Sequence, residues 1–227
     1  MDKRTILEVA GMTLVFVGIP VWLMWRHERN RSESLRAIAT SLGATLRPRV
    51  TAAEIAALLD RSRLGSHGHV CALTNFMEIT GTDELSIQVF EYYYCIGPDA
   101  TGTHFQQTVL RVQSPLLNLP EFVVHPESFL YEYGKALGLQ DINFPNDQEF
   151  TRLFTVQGTD EGATRAVFTP AVIRFFREHP GLILEGDGDR LLFYRSAKTL
   201  NPDEIAVFFD EGKQATALIF AAVGPAA

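Results

Sequence analysis

Between Val9 and Trp25 the chain reads VAGMTLVFVGIPVWLMW, an apolar run without a single charge. A helix needs about 20 such residues to span a bilayer, with a usable range of about 17–25. The run therefore predicts an N-terminal transmembrane helix near the short end of that range. Trp22 and Trp25, close to its C-terminal edge, suit the headgroup region. Pro20 removes one backbone hydrogen bond, which spanning helices tolerate where neighbours or water satisfy the freed group. A cleaved signal peptide fits less well, because Trp-Leu-Met-Trp-Arg stands where small residues are needed. A buried core helix would seldom be followed at once by Arg-His-Glu-Arg-Asn-Arg, and an interfacial helix would show a polar face.

Charge divides the chain. Its 227 residues carry a net −7, yet residues 26–49 hold Arg26, Arg29, Arg31, Arg36, Arg47 and Arg49 against Glu28 and Glu33, or +4. Residues 1–25 cancel, so residues 50–227 hold −11. An acidic body argues against nucleic acid as its partner, since phosphate binding needs cationic surface. Positive residues stay preferentially in the cytoplasm, and the excess C-terminal to the apolar run predicts a single-pass inner-membrane protein with a cytoplasmic domain. The expected partners are the bilayer itself, through Val9–Trp25, and anionic lipid headgroups near Arg26, Arg29 and Arg31, each arginine adding about 1 kcal/mol of attraction. The plainer reading is that these arginines only set topology. Two cysteines, Cys71 and Cys95, are too few for a disulfide scaffold; as free thiols or as one bridge, either fits the count.

Three regions follow: an anchor over 1–27, a basic helical neck and linker over 28–68, and a soluble α+β domain over 69–227. Leu35, Ile38, Ala39 and Leu42 recur at helical spacing and Gly43 stops them. Thr51 and Glu54 form a capping-box signature before a second short helix ending near Leu59. Arg61–Gly68 reads as linker. Val70–Thr80, Leu85–Ile96 and Thr103–Gln113 are strand-like and separated by turn residues, predicting an antiparallel meander, with Glu121–His125 as a fourth strand. In the second of these, apolar residues change face near Phe90, which a bulge or a change of burial would explain. Helices are expected after Pro126 (Phe129 to Leu137, closed by Gly138), over 160–168, after Thr169-Pro170 and after Asn201-Pro202. Phe150–Gln157 reads as a strand. Leu182–Glu185 and Arg190–Arg195 flank a Gly-Asp-Gly-Asp hairpin turn, and the apolar tail Ala215–Val223 finishes the last helix. Strands first and mixed elements afterwards point to an α+β domain carrying several amphipathic helices.

Chemistry is sparse. His67, His69 and Cys71 alternate, so one strand face could present zinc ligands with Cys95 or His104 completing a tetrahedron, but a strand start with incidental histidines is the better reading. Cys71 or Cys95 could pair with His104 or His125 as a nucleophile and base, without any local signature to support it. Glu185, Asp187 and Asp189 offer oxygens in one short loop, yet the calcium-loop spacing is absent and a solvated hairpin turn accounts for them. Tyr92-Tyr93-Tyr94 lacks the interleaved cations of a base-stacking platform and should split between core and surface. No phosphate loop, nucleophile elbow or dinucleotide fingerprint occurs. No catalytic, cofactor-binding or metal residue is assigned.

Gln107-Thr-Val, Ser114, Leu119-Pro120-x-Phe122, Pro126-Glu127, Ile142-x-Phe144, Phe154-x-Val-x-Gly158-x-Asp160-Glu161, Arg165 and Phe168 succeed one another at spacings that resemble a group of uncharacterised bacterial proteins. The similarity covers roughly Asn75 to Phe209. It implies a bacterial origin, a single domain and, as is frequent in that group, an N-terminal membrane segment; it implies no activity.

Two functional readings remain. The first is a membrane-tethered interaction or scaffolding module. The alternative is a membrane-associated enzyme or small-ligand binder whose site forms only on folding, with His104, His125, Glu127 or Asp160 converging in a deep pocket.

Overall fold

The computed structural model describes residues 19–66, 68–82, 84–98, 101–129 and 139–224. The first element, α1 (Ile19–Ser41), runs through the basic neck. Residues 9–18 of the apolar run lie outside the described residues, and 19–25 form the start of α1. Among the described residues no helix is long and apolar enough to cross a membrane. Gly43 ends α1 at a φ of +65°, where a side chain would be strained. The Ala44 N–H bonds the Ala39 carbonyl at 2.7 Å and the Gly43 N–H bonds Thr40 at 3.1 Å, the paired bonds of a Schellman stop.

Strand β1 (Thr45–Arg49) follows, then helix α2 (Ala52–Leu59) and the short helix α3 (Arg63–Ser66). The capping box at Thr51 and Glu54 is present in full. Residues 61–68 were expected to be linker because of their Gly, Ser and Arg content. Instead they contain α3, whose Leu64 is wholly buried. Strand β1 pairs antiparallel with β2, so the compact body includes residues 45–66 rather than starting at His69.

The meander forms as expected: β2 (His69–Thr82), β3 (Leu85–Ile96) and β4 (Thr103–Gln113), all antiparallel. Strand β5 (Leu119–Pro126) is followed by a 3-10 turn at Glu127–Phe129, while 130–138 of the helix expected there fall outside the described residues. Next come β6 (Gln140–Asp141), α4 (Gln148–Leu153), β7 (Phe154–Gly158), α5 (Glu161–Val167) and α6 (Pro170–Glu178). The strand expected over 150–157 thus divides, because Asp147 accepts the Phe150 N–H and caps a short helix before the chain extends. The hairpin β8 (Ile183–Gly188) and β9 (Arg190–Tyr194) precedes the last helix, α7 (Pro202–Val223).

Among the described residues one nine-stranded antiparallel sheet results, in the order β1-β2-β3-β4-β9-β8-β5-β7-β6. Helices α1 and α4–α7 cover one face through Leu35, Phe150, Val167, Phe176, Phe208 and their neighbours. The small helices α2 and α3 cover the other through Ile55, Leu59 and Leu64. This explains the apparent phase change in β3. Its register against β4 runs unbroken from Ser86 to Ile96, so no bulge interrupts it. Ile87 and Val89 face the larger helical layer, whereas Phe90, Tyr92 and Tyr94 face α2 and α3. Alternation is intact and burial changes sides.

Candidate functional site

The sheet register decides which polar side chains meet. His69 lies opposite Cys95, and Cys95 opposite His104, so three residues of the suspected zinc set stand in one row across β2, β3 and β4. The row holds no metal cage. His69 and His104 are exposed while Cys95 is buried, and no group of three or more potential ligands is assembled among the described residues. The His104 ring lies flat against Tyr93, with centroids 5.5 Å apart and planes 2° from parallel. His67 lies outside the described residues, and the β2–β3 register shifts between Val70 and Ala72.

Of the residues expected to converge, His104 and Asp160 stand apart from His125 and Glu127. His104 is at the solvent end of β4, and Asp160 caps α5 by accepting the Ala163 N–H at 2.9 Å. His125 is buried within β5, with Nδ1 3.0 Å from the Pro126 carbonyl. Opposite His125 stands Thr155, whose hydroxyl bonds exposed Glu127. The Gly-Asp hairpin separates its carboxylates too. Asp187 sits 3.4 Å from Arg61, and Asp189 accepts the Gln113 amide at 2.6 Å.

Glu185 is not in a solvated turn. It is 5% exposed inside β8, on the face covered by α3. Its carboxylate accepts the backbone N–H groups of Arg63 at 2.7 Å and Leu64 at 3.0 Å, and the Tyr194 hydroxyl donates to it as well. Burial pushes its pKa up, against the pull of those three donors. Glu185 thereby pins α3 to the sheet. The tyrosine triplet sits nearby: Tyr94 stacks between Tyr92 at 5.3 Å and Phe105 at 5.1 Å, an internal stack rather than an open platform.

With α3 tied to β8 by Glu185 and the start of α2 tied to β1 by the Arg47–Glu54 pair, a cavity lies between these helices and the first strands. This cavity measures about 790 Å³, within the usual ~300–1,000 Å³ of ligand sites. Its walls are Val50, Ala52, Ile55, Ala56, Leu59 and Leu73, with Arg49 and Asp60 at the rim. Sequence reading missed it because it forms between helices separated by a segment taken for linker.

A second junction joins neck and body. Arg31 on α1 bonds Glu91 on β3 and donates to the Leu200 carbonyl at 2.9 Å. Glu91, 5% exposed, also accepts from Asn75 at 2.9 Å and Gln106 at 3.3 Å. Arg31 is thus turned toward the protein, whereas Arg29 pairs with Glu33 on the exposed side of α1, and Arg26 lies over the Trp22 ring.

No protein-family model matches the chain, and no curated protein matches it. A solved structure does: the crystal structure of the mycobacterial trehalose monomycolate transport factor A, TtfA, superposes with a TM-score of 0.61. The alignment covers 88% of this chain and 99% of that one at 13% identity. The likeness is one of fold.

Proposed function

We propose that this chain is a membrane-tethered interaction module, serving as an accessory to a machine that moves an amphiphilic lipid. The observation that carries the reading is α1. It extends from Ile19 through the neck and is locked to the body by Leu35 and Ala39 in the core and by Arg31 on Glu91. A body joined so firmly to its N-terminal segment is suited to present a surface at fixed height above a bilayer. The apolar run Val9–Trp25 is the tether, with Arg26 and Arg29 as its basic collar on the cytoplasmic side of a bacterial inner membrane. Support for the transport role comes from the fold shared with a mycobacterial transport factor. His104 and Asp160 stand apart from the His125, Thr155 and Glu127 group, which supports this reading over an enzyme.

The test is to express the full chain in a bacterium and wash the membranes with alkaline carbonate. The protein should stay with the membrane, and a variant lacking residues 1–18 should be released. Affinity capture from detergent extracts should then retain a membrane transporter with the full chain. Release of the full chain by carbonate would overturn the tether, and capture of nothing above background would overturn the interaction role.

A further inference from the structure

We propose that the cavity beneath α2 and α3 binds a single-chain anionic amphiphile, with its alkyl chain along Ile55, Leu59 and Leu73 and its carboxylate or phosphate at Arg49. Three features point there. The walls are apolar, and the small side chains Ala52, Ala56 and Ala72 provide the room. The cover is fixed in place by polar contacts, Glu185 tying α3 to β8 and Arg47 of β1 tying the start of α2 through Glu54. A pocket whose shape is fixed in advance spends less of its binding free energy on ordering.

The third feature is charge at the rim. Arg47 is occupied, bonding Glu54 at 2.6 Å and lying over the Phe76 ring. Asp60 is countered from both sides, by Arg61 at 3.6 Å and by Arg190, which donates to its carbonyl at 2.6 Å and approaches its carboxylate at 3.8 Å. The Arg49 guanidinium is exposed and makes no ion pair or side-chain hydrogen bond to another described residue. An apolar slot with one uncommitted cation at its mouth is complementary to an apolar tail with one negative head. A cationic head would be repelled there. Binding at this site does not depend on the membrane tether.

The experiment uses the full chain in a mild non-ionic detergent, titrated with hexadecanoate below its micelle concentration by displacement of a fluorescent fatty acid. Saturable one-to-one binding is expected. Ala56→Trp, at an exposed wall position outside the core, should weaken it at least about tenfold with an unchanged circular dichroism spectrum and Tm. Arg49→Glu should weaken hexadecanoate about tenfold while hexadecanol binding stays within about twofold, and should improve binding of a cationic C16 trimethylammonium probe. Absence of saturable binding, full binding by Ala56→Trp, or equal loss of hexadecanoate and hexadecanol in Arg49→Glu would each overturn the proposal. A groove that accepted an amphipathic peptide and refused hexadecanoate would overturn it as well.

Discussion

Three glutamates show how differently one side chain is used here. Glu91 is buried and compensated by an arginine from another element, so removing the partner leaves a charge in a poorly solvated place. Arg31→Ala should lower stability by roughly 3 kcal/mol, measured as the shift in a urea unfolding midpoint. Glu54 is solvent-exposed and its pKa is lowered to about 2, first by the Thr51 N–H and then by Arg47 and the Thr51 hydroxyl. Because the folded state holds this proton more weakly than the unfolded state, its contribution is present above the ordinary value of 4.5 and is lost as pH falls toward 2. A carboxyl-carbon NMR titration of Glu54 should show that low midpoint, and Arg47→Ala should move it upward. Glu185 has the opposite sign. Burial raises its pKa, so its linkage favours the folded state most below 4.5 and is lost as pH rises through the elevated folded value. Glu185→Ala leaves two buried N–H groups of α3 unpaired and should cost on the order of 2–3 kcal/mol, read by denaturation with Tyr194→Phe as the milder comparison.

Helices in this chain start and stop where their own side chains supply the missing bonds. Thr169 and Asn201 stand before proline at the starts of α6 and α7, and Asp147 and Asp160 cap α4 and α5. What these local signals do not set is how closely a helix may approach the sheet. On α7, a Cβ at Gly212 would stand 2.8 Å from a Leu110 methyl on β4, so the missing side chain permits the contact. Gly212→Val should therefore overpack that face and cost about 2 kcal/mol, seen as a lowered thermal midpoint with unchanged helix content. Gly158 and Gly186 do the same for β7 and β8, where a Cβ would strike the Thr164 hydroxyl at 2.5 Å and the Phe122 ring at 2.3 Å. Several residues of the bacterial motif resemblance belong to this packing. Phe122 and Phe144 of the motif lie against Phe168 at 5.4 and 5.6 Å, beside Phe150, which is outside it, at 6.0 Å, and Arg165 lies over Phe144. These motif phenylalanines lie in the core of this fold.

The whole molecule is a sheet covered unequally on its two sides. One layer is thick with phenylalanine, and the other, among the described residues, is two short helices and an apolar hollow. Its edges are blunted: β1 carries Arg47, Pro48 and Arg49, and β6 is two residues long. Helix α1 belongs to the thick layer, packed against α7. Deleting residues 19–41 should thus destabilise the body by on the order of 5 kcal/mol, from one buried leucine and one broken ion pair. Chemical unfolding of the truncated and full chains would measure it; an unchanged midpoint would mean that α1 is only a spacer.

Sequence alone determined most of the local order. The meander, the capped starts of α2, α6 and α7, the closing hairpin and the α+β class all follow from side-chain period and turn chemistry, which act over a few residues. Tertiary structure decided the rest, because those decisions couple residues far apart in the chain. Arg31 reads as one more basic residue of a neck until Glu91 meets it across 60 positions. Glu185 reads as a turn carboxylate until the N–H groups of Arg63 and Leu64 arrive from 122 and 121 positions away. The stretch 61–68 reads as linker until Leu64 finds its place under β8. The cavity lined by Arg49 forms where α2, α3, β1 and β2 come together, and pairwise distance is what a one-dimensional pattern does not encode.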